Sequence, residues 1–268
     1  MDGLMVFDPL FRVPFFNGLI LAVVLSLLGA YLRMREEWLS AFALSQVAAA
    51  GGVLSLPLGL PVVLTASVAA GAVALVFGLL ARVNNNHYGW TILLGWSAAL
   101  IFAANTHQGS VVVESLLRGQ LYFSNPWHLV SALVLLVLLL GSLPWLSSRL
   151  MVGRFFPDYF SANGIPAWRH RLPFGALVIF AVVLGTVAMG AVPAFAMFFV
   201  PAWVSFVLCR GWRKALAMTI ALALAAYLAG FTLAIELDQP FGPTMVLVLA
   251  LLAPLRLLAN RRGGDSVR

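Results

Sequence analysis

Charge is scarce in this chain, and it is almost absent from the long apolar runs. Charged residues make up 9% of its 268 residues, against 62% hydrophobic ones. A soluble domain could not hide that much apolar surface. The acids Asp2, Asp8, Glu36, Glu37, Glu114, Asp158, Glu236, Asp238 and Asp265 all fall in loops or tails, as do His87, His107, His128 and His170. Ionisable groups inside a membrane mark ion sites and proton relays, so their absence argues against a proton-coupled carrier or pump. It also removes an intramembrane zinc protease, which needs histidines and an acid on its helices. One cysteine, Cys209, excludes an intramolecular disulfide and a zinc-thiolate cluster. There is no GxxxxGK[ST] phosphate loop, so ATP cannot be hydrolysed by that route within this chain. Gly95-Trp96-Ser97-Ala98 has the outline of a serine-protease motif, yet no histidine or lysine sits at matching depth to take the serine proton. Met1–Leu10 carries Asp2 and Asp8 and no basic residue, unlike a cleaved signal peptide.

What is present is a succession of apolar runs with short breaks. Runs of about 18 residues or more read as membrane helices. They are predicted at Pro14–Leu32, Trp38–Leu56, Val62–Leu80, Trp90–Ala104, Leu129–Leu146, Phe174–Val192, Phe195–Leu208, Ala215–Ile235 and Thr244–Leu258. The fourth, seventh and ninth are short for a span. The expectation is one all-α, polytopic membrane domain over residues 1–268 with eight or nine transmembrane helices. Pro57 and Pro61 bracket a tight turn, and the loop Asn105–Asn125 has room for a short helix at Ser110–Leu117.

Lysine and arginine collect on the cytoplasmic side of membrane proteins. With the polar island Arg154–Arg171 (RFFPDYFSANGIPAWRHR) inside, alternation leaves only Arg12 and Arg118 of the 16 basic residues outside. The net charge of +7 is therefore a topology signal and not a nucleic-acid footprint. It predicts an N-terminus outside and a C-terminus inside.

Few polar residues remain at depth. Gln46 is the one amide well inside a predicted span, with Ser45 before it and Phe42 one turn earlier on the same face. A buried amide is costly unless it is paired, so Gln46 either bonds a neighbouring helix or faces a passage. The dense small residues of the second and third runs likewise read as close helix packing or as the lining of a path. His107 lies near the outer face, either simply solvated or able to meet an incoming solute.

Four stretches, in order along the chain, carry a family resemblance. They are RMREEWLSAFALSQVAAAGG (Arg33–Gly52), RGQLYFSN (Arg118–Asn125), FFPDYFSANGIP (Phe155–Pro166), and the pair GAVPAFAMFFVPA (Gly190–Ala202) and DQPFGPTMV (Asp238–Val246). Together they resemble the membrane permeases of ATP-driven zinc, manganese and iron importers, the metal-ion ABC transporter permease family. The resemblance implies a homodimer or pseudo-dimer in the bacterial cytoplasmic membrane, with a path between two copies. It implies ATP-binding subunits on the inside, where ATP would be bound, and a solute-binding protein on the outside. The segment at about 150–172 would couple to the ATPase through Phe155, Pro157, Asp158, Ala162, Gly164 and Pro166. Asp158 either caps a short helix over Tyr159–Asn163, ended by Gly164, or is an ordinary turn acid.

One departure stands out. The family's small-residue helix bears an aspartate and, four residues later, a histidine, which one helical turn brings to one face. Here Phe42 and Gln46 occupy those positions. A ring cannot ligate a metal and an amide oxygen is a weak ligand, so the metal site does not carry over. The weak candidates for a substrate pathway are then Phe42, Ser45, Gln46 and His107. The solute is a metal ion bound elsewhere, a metal chelate or another small molecule; alternatively the chain is a scaffold that has lost transport.

Overall fold

A computed structural model describes residues 9–79, 83–156, 159–165 and 168–256, and among these every regular element is helical. In order they are α1 (Pro9–Met34), α2 (Trp38–Val53), α3 (Ser55–Leu58), α4 (Val62–Leu79), α5 (Asn85–Ala104) and α6 (Gly109–Arg118). A 3₁₀ turn (Leu121–Phe123) follows, then α7 (Pro126–Phe155), α8 (Tyr159–Ala162), α9 (Trp168–Met189), α10 (Ala191–Leu208), α11 (Trp212–Glu236) and α12 (Phe241–Ala250). By length and composition α1, α5, α7, α9, α10 and α11 are able to cross a membrane, while α2, α4 and α12 are apolar but shorter.

The long helices alternate between two ends, which contacts define. At the basic end Arg154 pairs with Glu36, Tyr31 meets Trp212, and Arg256 lies 4.1 Å over the Trp203 ring. At the opposite end Asn17 Nδ2 donates to Ser124 Oγ (3.0 Å), and the loop after α6 meets the turn between α9 and α10. The amphipathic α6 turns Val113 and Leu116 inward across this end and keeps Glu114 and Arg118 outside in an ion pair (3.0 Å).

Several helix limits differ from the sequence expectation, each for a local reason. The second run divides, because α2 stops at Val53 and α3 follows it into a left-handed turn at Gly59 (φ 64°). The fourth begins at Asn85, not Trp90, because the Asn84 side chain caps the backbone N–H groups of Asn86 and His87. The sixth ends at Met189 because Gly190 adopts φ 98°, which lets α10 start at Ala191 and reach 18 residues. α7 overruns the predicted Leu129–Leu146 at both ends. Its 30 residues span about 45 Å, more than the ~30 Å hydrocarbon core, so the helix is long enough to carry Arg149 and Arg154 past an apolar layer. The short helix expected at Ser110–Leu117 is α6.

α1 and α2 form the centre. Leu21, Leu25 and Leu28 of α1 are fully buried against α7, α9, α10 and α11. α2 is buried over most of its length by α4, α5, α9 and α10. Apolar burial against protein gains little over burial against lipid, so close backbone approach must hold these helices. Glycine permits it. A Cβ on Gly29 would overlap the Phe198 carbonyl of α10, and one on Gly95 of α5 would lie 2.9 Å from the Gln46 carbonyl carbon of α2.

Gly29→Ala should therefore push α1 off α10 and destabilise the chain by about 1–3 kcal/mol. Gly71→Ala, where an added Cβ meets nothing within 4 Å, should leave stability unchanged or slightly raised. Thermal unfolding of the two variants in detergent compares them directly.

Candidate functional site

Three regions hold the residues singled out by the sequence. The first is the middle of α2. Ser45 is buried and turns its hydroxyl back to the Phe42 carbonyl (2.8 Å). Gln46 is 2% exposed, and the interhelical hydrogen bond open to it does not form, since its Oε1 has no partner among the described residues. Phe42 is half-buried, its ring 4.7 Å from that of Phe195 on α10. Trp38, one turn earlier, lies 4.7 Å from Phe199, which meets Trp203 in turn. A column of rings thus joins one side of α2 to α10. Sequence reasoning missed its α10 members, although Phe195, Phe199 and Trp203 recur every four residues on one helical face. His107 does not join this group. It is exposed beyond the far end of α5, while Phe42 and Ser45 lie within the first half of α2.

The second region is the polar island at the basic end. α7 runs into it, leaving Phe155 and Phe156 exposed at 68% and 65%. Tyr159 is also exposed and packs edge-on against Phe160. After α8, Gly164 takes φ 64° and Ile165 N–H donates to Phe160 O (2.8 Å). This is a Schellman C-cap, which favours glycine at that position because it has no Cβ. Ala162 and Gly164 are exposed on this turn. Pro157, Asp158 and Pro166 lie outside the described residues. The turn between α1 and α2 touches both flanks of the island: Glu36 pairs with Arg154, and Arg35 stands 5.2 Å over the Phe174 ring of α9 while pairing with Glu37 at 2.8 Å. Exposed pairs of this kind contribute only about 0–1 kcal/mol each, so they steer the turn more than they hold it. Exposed aromatic residues at a charged end are the kind of surface that marks a protein contact.

The third region is a junction at the opposite end, built on glycine. Gly119 (φ 88°) backs onto the Met189 carbonyl, and a Cβ on Gly190 would stand 2.7 Å from the Arg118 carbonyl carbon. A Cβ on Gly242, at the start of α12, would overlap the Arg118 carbonyl oxygen. Gln120 N–H donates to Ala188 O at 3.0 Å, locking the strand of loop in place. Three stretches that look separate in sequence, Arg118–Asn125, Gly190–Ala202 and Asp238–Val246, thus converge on one backbone knot. Tyr122 sits in it against Phe11, Phe231 and Phe241, and burial, with Asp238 adding, pushes its phenol up to about 12. Among the described residues no group of three or more His, Cys, Asp and Glu side chains could hold a metal ion.

Comparison with known proteins connects these regions. The chain is 25% identical over 265 residues to the chelated iron transport system membrane protein YfeD of Yersinia pestis, covering 93% of this chain and 87% of that protein. Its fold matches PsaBC from Streptococcus pneumoniae, solved in complex with a Fab, with a TM-score of 0.81 at 16% identity over 95% of this chain and 92% of the other. It also matches a structure described as an inward-facing conformation of a metal-chelate type ABC transporter, with a TM-score of 0.75 at 16% identity over 95% and 87% of the two chains. The model of the ABC 3 transport family matches residues 8–260, so the chain belongs to that family.

Proposed function

We propose that the chain is the permease subunit of an ATP-driven importer, with divalent metal ions such as zinc, manganese or iron as its cargo. The observation that carries this reading is the family match over residues 8–260, which spans all three regions described above. In this reading α1, α2, α4, α5, α7, α9, α10, α11 and α12 each cross a bacterial cytoplasmic membrane. Of the shorter members, α2 is held by protein contacts over most of its length, while α4 and α12 also present apolar faces outward. The basic end faces the cytoplasm, in keeping with the distribution of arginine. Two copies pair around a path, a solute-binding protein meets the glycine junction end, and ATP is bound and hydrolysed by partner subunits.

The island is the contact for those ATP-binding subunits. Phe155 and Ala162 supply exposed apolar surface, Gly164 fixes the turn, and Pro157, Asp158 and Pro166 complete the segment. Movement there would reach α2 through the Glu36 and Arg35 contacts, and reach the glycine junction through the rigid rods of α7 and α9. Rocking of packed helices about a fixed site is the general route to alternating access.

A second reading of the cargo has its own support. Phe42 packs on Phe195 and offers no ligand, and the Gln46 amide oxygen is unpartnered. A wall of rings and one amide suits a metal already wrapped by a chelator, as the name of the Yersinia pestis relative describes for that protein. A scaffold without transport would show no uptake of either form.

Co-expression with the ATP-binding and solute-binding subunits provides the tests. Asp158→Ala combined with Gly164→Val should abolish co-purification of the ATP-binding subunit, and an intact complex would remove the coupling assignment. Gln46→Leu should change radiolabelled metal uptake at least severalfold while leaving the complex assembled. Unchanged uptake, compared for free ion and chelate, would take Gln46 out of the path.

A further inference from the structure

A cavity of about 320 Å³ opens beside the glycine junction, where the start of α4, α6 (Val112, Ser115 and Leu116), the end of α9, the 3₁₀ turn and the first turn of α7 meet. Val62, Val63 and Val187 form an apolar side, and Gln120, Ser124 and His128 bring polar groups to it. Hydrogen bonds elsewhere decide what those groups offer. His128 sits at the third position of α7, and its ring Nδ1 accepts from the Asn125 N–H (3.3 Å) while Asn125 Oδ1 accepts from the His128 N–H (3.1 Å). This capping box uses the Nδ1 lone pair, so the neutral ring carries its proton on Nε2 and presents a donor. Ser124 Oγ accepts from Asn17 Nδ2, which leaves its O–H to donate. No carboxylate lines the cavity, and no lysine or arginine does either.

The surroundings fix the depth of this cavity. Phe123 and Trp127 flank it at 81% and 77% exposure, and an exposed tryptophan, whose ring is apolar with one N–H donor, marks the headgroup level of a bilayer. Below it α4 and α7 both pack on α9 and carry exposed apolar faces, Leu64 and Val68 on one and Val130 and Val134 on the other. Neutral donors at headgroup level above two apolar faces match one class of molecule.

We infer that this cavity binds a phospholipid of the outer leaflet, with the phosphodiester oxygens accepting from His128 Nε2–H and Ser124 O–H and the acyl chains lying along α4 and α7. A neutral donor set reads the phosphodiester and not the net charge of the lipid. The lipid would wedge the junction between α6 and α9, and so set the resting position of the end opposite the island.

The chemistry of the cap supplies a discriminating pair of variants. Glutamine and glutamate at this position both preserve a capping box. His128→Gln keeps a donor for the lipid, whereas His128→Glu replaces it with an anion. In native mass spectrometry of the delipidated full chain in detergent, titrated with phosphatidylethanolamine, wild type and His128→Gln should retain one lipid more tightly than His128→Glu, by about tenfold. Diacylglycerol with the same chains should not be retained, and inorganic phosphate should not compete. Equal retention by His128→Glu, loss of the lipid from a normally eluting His128→Gln, or retention of diacylglycerol would each overturn the assignment. Displacement by inorganic phosphate would do so as well, by giving the site to a free oxyanion.

Discussion

Helices inside a bilayer gain little from burying apolar side chains against one another, because lipid is as apolar as leucine. What distinguishes one packing from another is how closely the backbones approach. In this chain that approach is set by glycine at a few crossings: Gly29 against Phe198, Gly95 against Gln46, and the trio Gly119, Gly190 and Gly242 around Arg118. The rest of the molecule depends on these contacts. Those between helices bring α1 onto α10 and α5 onto α2. The trio closes one end into a knot that three distant stretches share. Polar bonds add further ties between elements, as with Asn17 to Ser124 and the buried contact between Ser205 and Thr219 at 2.5 Å.

The two ends are built on opposite principles. The glycine end is backbone against backbone, with Tyr122 packed in aromatic contacts while Phe123 and Trp127 stand exposed beside it. The basic end is loose by comparison, with exposed rings at Phe155, Phe156 and Tyr159 and ion pairs open to solvent. A molecule held backbone to backbone at one end and joined by a solvent-open ion pair at the other is suited to being pushed at the second. A partner that gripped the island would move α7 and α9 as levers, and the knot would decide how the far ends of those helices respond. Energy coupling and cargo recognition are therefore separable in this chain. On the proposed reading the island carries the first, and the ring-lined side of α2 and α10 carries the second.

Much of this was legible in the sequence, and the parts that were not have a common cause. Apolar runs located every long helix, and arginine placement told the ends apart, because both are local properties of composition. Pro and Gly punctuation found the turn at Gly59 and the cap at Gly164. Helix limits failed where a side chain or a backbone torsion acts from outside the run: the Asn84 cap extended α5, and the positive φ of Gly190 moved a boundary between α9 and α10. The junction was invisible because Gly119, Gly190 and Gly242 are far apart in sequence and glycine has no pattern of its own. The column of Phe195, Phe199 and Trp203 carried a helical period, yet it was read as part of an apolar span. In a membrane helix the same period serves lipid, core and path alike. Of the two roles the sequence left open for Gln46, a bond to a neighbouring helix has no counterpart at its Oε1 among the described residues.

The proposal that the ATP-binding subunit acts on this chain through the island is open to one direct test. Site-specific photo-crosslinking tests it most directly, with a photoreactive residue at Ala162 and, separately, at His107, in membranes containing the co-expressed ATP-binding subunit. A crosslink to that subunit is expected from position 162 and none from position 107. No crosslink from 162, or equal crosslinking from 107, would contradict it.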